Sequence, residues 1–261
     1  MSTLMITYKG KDLNFPSSLN ELTQEQFLFV ASHFMNGFHK NEEELEDLNE
    51  FRLSLLHKLT GLTWPKFTNL SKDEIADMMT YTDFVFGDFD LDVCLFQKFK
   101  HKGRTYHGPD KQFERFTFLE LGRADSYFVQ YIQERDEESL LKLLAVLYRP
   151  KHLFSRKKKE YTDEALDSSV KALAQVDKKY LIGAMYTWWA FRENVMMKLF
   201  PIIFEKPSGK DVQVVRNDYG WDGTITTSAG IELGTIDQTG NTNWMTAFTF
   251  MAMQMERNTK K

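Results

Sequence analysis

One cysteine stands in 261 residues, Cys94, and that excludes an intrachain disulfide framework and a cysteine-based zinc site. Such a chain fits a reducing compartment. No basic excess is present either. Net charge is −4 and the isoelectric point is about 5.9, whereas a general nucleic-acid binder is usually basic over at least one domain. No long apolar run occurs. The longest candidate, residues 181–191, ends at Arg192-Glu193, and a membrane span needs about 20 apolar residues. The start, Met1-Ser2-Thr3-Leu4, has no basic stretch followed by an apolar one, so no secretory signal is expected. No repeat of 20–50 residues is visible.

Aromatic side chains are plentiful: 22 Phe, 10 Tyr and 5 Trp. Burying such side chains stabilises a fold by roughly 1.5–3 kcal/mol each, so a sizeable core is affordable to this length of chain. Between Asp177 and Phe200, residues Leu181, Ala184, Trp188, Phe191, Val195 and Leu199 fall on one helical stripe. Ile182, Tyr186, Trp189, Met196 and Phe200 make a second, about 100° away. A helix apolar on most of its circumference is buried, or meets partners on both sides. One of Trp188 and Trp189 is expected in the core, and the other at its edge or facing a partner.

Other helix starts are legible. Thr23-Gln24-Glu25-Gln26, Ser71-Lys72-Asp73-Glu74 and Thr117-Phe118-Leu119-Glu120 carry a hydroxyl cap with Glu or Gln three residues on. Asn41, Asp136 and Thr162 open three more, and Pro150 limits the Asp136 helix to Arg149 at the furthest. Trp244, Phe248, Met251 and Met255 stripe a final helix. Leu4-Met5-Ile6-Thr7-Tyr8 and Leu13-Asn14-Phe15 read as a β-hairpin. Residues 221–236 fit helix or strand equally. The expected fold is mainly α, a single helical body with a small N-terminal β-hairpin. Its parts are a docked hairpin (1–20), an N-terminal helical part (21–148), a basic loop (149–161) and a C-terminal helical part (162–261).

The chemical candidates fail on spacing. Asp88, Asp90 and Asp92 alternate, but a calcium loop starting at Asp88 needs Gly and Glu where Val93 and Phe99 stand. His33 and His39 lie six apart, as do His101 and His107, which is not the i, i+4 spacing of a zincin helix. Neither a Gly-x-Ser-x-Gly elbow nor a Gly-x-Gly-x-x-Gly turn occurs. Ser208-Gly209-Lys210 lacks the earlier glycine of a phosphate loop and is followed by Asp211. Cys94, among Val93, Leu95 and Phe96, reads as a buried inert thiol. No metal and no cofactor is expected. Arg149, Lys151, Arg156, Lys157, Lys158 and Lys159 form a basic cluster that fits a solvated loop, a protein contact or phosphates.

Three stretches carry a resemblance. The first is Phe15-Pro16-Ser17-Ser18-Leu19-Asn20-Glu21-Leu22-Thr23-Gln24-Glu25-Gln26-Phe27. The second is Leu140-Leu141-Lys142-Leu143-Leu144-Ala145-Val146-Leu147-Tyr148-Arg149-Pro150. The third is Tyr219-Gly220-Trp221, then Ala229-Gly230, then Asn241 through the final helix. In this order they resemble small helical proteins of the tail modules of Bacteroidota phages and prophages, considered tail-assembly or virion-associated proteins. The resemblance departs in residues 211–236. It implies a non-enzymatic role with other tail or virion proteins as partners, in the host cytoplasm during assembly or in the virion. A homo-oligomer is left open, and neither membrane nor nucleic acid is expected as a partner. The partner-binding candidates are Trp188, Trp189, Trp244, Phe248, Met251 and Met255. Two other classes compete: an enzyme using Asp88, Asp90 and Asp92 with His101 and His107, and a nucleic-acid module using residues 156–159.

Overall fold

A computed structural model describes residues 4–8, 11–37, 45–151, 161–204, 220–230 and 233–259. The chain divides into two compact units, Met1–Leu91 and Asp92–Lys261. The described residues 149–151 and 161 therefore belong to the second unit.

In the first unit, β1 (Leu4–Tyr8) and β2 (Lys11–Phe15) pair antiparallel, with Leu4 opposite Phe15. Phe15 is fully buried, and its ring meets Tyr81 at 5.6 Å. A short 3-10 turn, Leu19–Glu21, leads to α1 (Gln24–Gly37). Its start is a reciprocal capping box: Gln26 N–H donates to Thr23 Oγ1 at 3.3 Å, and Thr23 N–H to Gln26 Oε1 at 2.8 Å. Then follow α2 (Leu45–Thr60), α3 (Trp64–Phe67) and α4 (Lys72–Met79), the last capped by Ser71 and Glu74 in the same manner. A 3-10 stretch, Thr80–Val85, follows α4 and is the last helical element of the unit among the described residues. Phe27, Val30 and Ala31 of α1 and Leu55, Leu56 and Leu59 of α2 are buried, one face of each helix.

The second unit opens with a hairpin that the helical reading passed over. β3 (Lys98–His101) and β4 (Arg104–His107) pair antiparallel. The turn between them holds Lys102 at φ 46° and Gly103 at φ 75°. Two successive positive φ values suit the right-handed twist of a two-residue hairpin. The short strand β5 (Arg149–Pro150) joins as the third, with His107 opposite Arg149.

The helices of this unit surround α5 (Phe118–Glu134), which begins with the Thr117–Glu120 capping box. Next is α6 (Glu137–Leu147), whose cap Asp136 accepts from Glu138 N–H and Ser139 N–H at 3.0 Å each. It ends at Leu147, before Pro150, as expected from proline's effect on its predecessor. After α7 (Asp163–Leu173) comes α8 (Lys178–Ala190), in which residues 181–188 are all buried. A helix so enclosed is core, in keeping with its two apolar stripes. It runs into a π-helical segment, Phe191–Met196, then α9 (Met197–Leu199) and α10 (Pro201–Phe204). The ambiguous stretch resolves in part: α11 (Gly220–Ser228) and α12 (Ile236–Asn241) are helical. α13 (Trp244–Thr259) ends the fold. The protein is mainly α, with small β elements. No helix among the described residues is long and apolar enough to cross a membrane.

Candidate interaction surface

The root of α13 is held by the loop before α5. Trp244 N–H donates to Phe116 O at 3.1 Å, and its indole Nε1–H to Phe113 O at 2.9 Å. Phe118 N–H donates to Thr242 O at 2.8 Å. Trp244, Ala247 and Phe248 are fully buried. The ring of Phe248 meets Phe200 at 5.4 Å and Phe204 at 5.9 Å, so Phe200 and α10 pack on this side of the helix.

Beyond Phe248 the core ends, yet the apolar sequence continues. Among residues 249–257 none is buried. Met251 is half-buried, while Met253 is 48% and Met255 39% exposed. Met245, about 100° around the first turn from Trp244, is 41% exposed. Leu199, at the end of α9, is 56% exposed. Thioether chains are unbranched and polarisable, and they adapt to irregular partner surfaces.

The candidate contact residues therefore separate. Trp188, Trp244 and Phe248 belong to the core, which corrects the expectation that they present a surface. Trp188 is fully buried against Phe113, Phe116 and Phe191, with its indole Nε1–H 3.4 Å from Asp125 Oδ1. Trp189 lies at the core edge, its ring 5.6 Å from Tyr186. Met251 and Met255 do reach the surface. Met245 and Met253 join them there, unforeseen because they sit off the Trp244–Phe248 stripe, about 100° and 180° around the helix from Trp244.

The polar candidates are separated as well. His101 pairs with Arg104 and His107 with Lys98, at opposite ends of the β3–β4 ladder. Three residue steps divide them, about 10 Å. Asp88 and Asp90 close the first unit, Asp92 opens the second, and all three are exposed. His33 stacks on Phe51 at 4.6 Å, with Nδ1 3.0 Å from Phe29 O, and His39 lies outside the described residues. Among the described residues no group of three or more His, Cys, Asp or Glu is placed to hold a metal ion. Cys94 is buried, its Sγ 3.2 Å from Phe96 O.

Of the basic cluster, residues 156–159 lie outside the described residues, Lys151 is exposed, and Arg149 is buried. Arg149 forms an ion pair with Glu120 and also donates to Val146 O. This corrects its reading as part of an open basic loop. Beside it, Arg104, Tyr106, Tyr161, Ser168 and Ser169 help to line a hollow of about 260 Å³.

Polar side chains of α5 tie the second unit together. Asp125 Oδ1 accepts from Arg192 Nε at 2.9 Å, and Oδ2 from Trp221 Nε1 at 3.0 Å. Arg123 makes a two-pronged contact with Asp163 at 3.0 and 2.7 Å, and reaches Asp222 at 2.8 Å. The Arg123 hydrogen bonds hold the Asp163 carboxyl below its ordinary value, against partial burial. No protein-family model matches the chain, and neither curated proteins nor solved structures give a match.

Proposed function

We propose that this protein is a non-enzymatic assembly protein that acts through protein–protein contacts, and that its setting is phage tail assembly or the virion. The tail setting rests on the sequence resemblance. The contact role rests on α13, whose apolar stripe outruns the core it packs on. Soluble folds leave single apolar side chains exposed, whereas a contiguous exposed apolar patch marks an interaction site. Here Met251, half-buried, and Met255, 39% exposed, carry the stripe of Trp244 and Phe248 past its buried root, and Met245 and Met253 are exposed on the other sides of the same helix. The partner is another tail or virion component, which covers this methionine-rich helix.

Mass spectrometry of purified particles, combined with pull-down of the proteins encoded beside this one, tests the reading. A tail component retained by the wild-type chain is expected. Absence of the protein from particles together with no retained tail component overturns the tail setting.

A further inference from the structure

The hollow of about 260 Å³ in the second unit lies between α7 and the sheet. Arg104 and Tyr106 stand two residues apart on β4, so they face it from the same side of the strand. Ala165, Ser169 and Ala172 line it from α7, at the i, i+4, i+7 spacing of one helix face. Tyr106, Ala145 and Leu166 are buried and give it an apolar lining.

The charge of this lining is of one sign. Among the described residues that line it there is no carboxylate, and the charged side chains are Arg104 and Arg149. Glu120 neutralises Arg149, whose guanidinium also donates to Val146 O. Arg104 is exposed and has no carboxylate partner among the described residues. The hydroxyls of Ser168 and Ser169 already donate to Ala165 O, at 2.8 and 2.9 Å, which leaves their oxygens as acceptors. Tyr161 likewise gives its hydroxyl hydrogen to Asp163 Oδ1 at 2.7 Å. One uncompensated cation thus stands beside an apolar lining.

We propose that this hollow binds a small monocarboxylate with an apolar body. The Arg104 guanidinium is a planar fork, and a flat carboxylate accepts two parallel hydrogen bonds from it. One free positive charge suits a monoanion. A phosphate dianion would bring a second negative charge against the apolar lining, where an unpaired charge is costly. The volume lies just under the roughly 300–1,000 Å³ of drug-sized pockets, so the body is a short branched chain or a single ring. The site is built from β4, β5, α6 and α7 and uses no part of α13. It neither depends on the assembly reading nor fails with it.

Titration of the isotopically labelled full-length protein with phenylacetate and with 4-methylpentanoate, followed by NMR, tests the proposal. Saturable shifts are expected at the amides of Arg104, Tyr106, Ala165 and Ser169, with a dissociation constant of about 1 mM or tighter for at least one of the two acids. Phenylacetamide, the neutral isostere, and inorganic phosphate are each expected to bind roughly tenfold more weakly or worse. Arg104→Gln changes an exposed side chain and is expected to lose roughly tenfold in affinity with the fold intact. Ser169→Leu fills the hollow while leaving Arg104 in place, and is expected to abolish the shifts. Circular dichroism checks that both variants fold. If either does not, the comparison of phenylacetate with phenylacetamide on the unaltered protein decides. The proposal is overturned if neither acid gives saturable shifts at these amides, if phenylacetamide or phosphate binds as tightly as the acids, or if folded Arg104→Gln binds like the parent.

Discussion

Glu120 and Arg149 form an ion pair almost wholly withdrawn from solvent, at the start of α5 and the strand β5. The same carboxylate caps α5, since Glu120 Oε2 accepts from Thr117 N–H at 2.8 Å. One buried side chain therefore serves both a helix end and a sheet edge. Removing either partner leaves the other charge without compensation, at a cost of roughly 3–5 kcal/mol. Glu120→Met and Arg149→Met are each expected to lower the denaturant midpoint strongly. The double variant Glu120→Met with Arg149→Met is expected to recover part of the loss, since the buried charge is gone from both sides. A double variant as unstable as the sum of the two singles would show that the pair is not the cause.

Trp188 and Trp189 are neighbours in sequence and unlike in setting. Trp188→Ala removes a fully buried indole and is expected to cost roughly 3–5 kcal/mol. Trp189, at the core edge, is expected to cost less than half as much on the same substitution. Thermal or denaturant melting of the two variants checks the order, and equal losses would place both rings in the core.

Gly108 lies against Tyr148, and an added Cβ would sit 2.3 Å from its ring. Tyr148 is fully buried and donates its hydroxyl to Phe96 O at 2.6 Å, so the ring has nowhere to move. Gly108→Ala is expected to destabilise by about 1–3 kcal/mol through overpacking. A melting temperature unchanged by this substitution would mean that the hairpin end yields freely.

Asp163 gives the pH dependence. Its hydrogen bonds from Arg123 hold its folded value below the ordinary 3.8. A carboxylate depressed in this way contributes stability that is fully present above 3.8 and is lost as pH falls through the folded value. Asp163→Asn is expected to lower stability at neutral pH and to narrow its gap to the parent below pH 3.8. Because the side chain is nearly half exposed, solvent screens the pair and the effect is small. A gap that widens on acidification would contradict the assignment.

Much of the helical fold is legible in the sequence, because capping boxes and apolar stripes are local signals. Thr23, Ser71, Thr117 and Asp136 each mark a helix start that the structure contains. The β3–β4 hairpin is equally local, in the alternation of Lys98, Phe99 and Lys100 and in the Lys102-Gly103 turn, but four-residue strands carry a weaker signal than the longer helical patterns around them. Surface placement is not local. The stripe of Trp244, Phe248, Met251 and Met255 is continuous in sequence, and only tertiary packing, by the loop before α5, Phe118, Trp221 and α10, decides that its first half is core. Likewise nothing in the spacing of Glu120 and Arg149, or of Asp125 and Trp221, announces that they meet.

The most direct measurement concerns α13. Met245, Met253 and Met255 are replaced together by Lys, and the variant is compared with the parent in melting and in pull-down of the proteins encoded beside it. Exposed substitutions away from packed features change stability by about 0.5 kcal/mol or less each. The variant is therefore expected to melt close to the parent, within a few degrees, and to lose its partner. A variant that melts normally and retains every partner would contradict the claim that this helix is the contact surface.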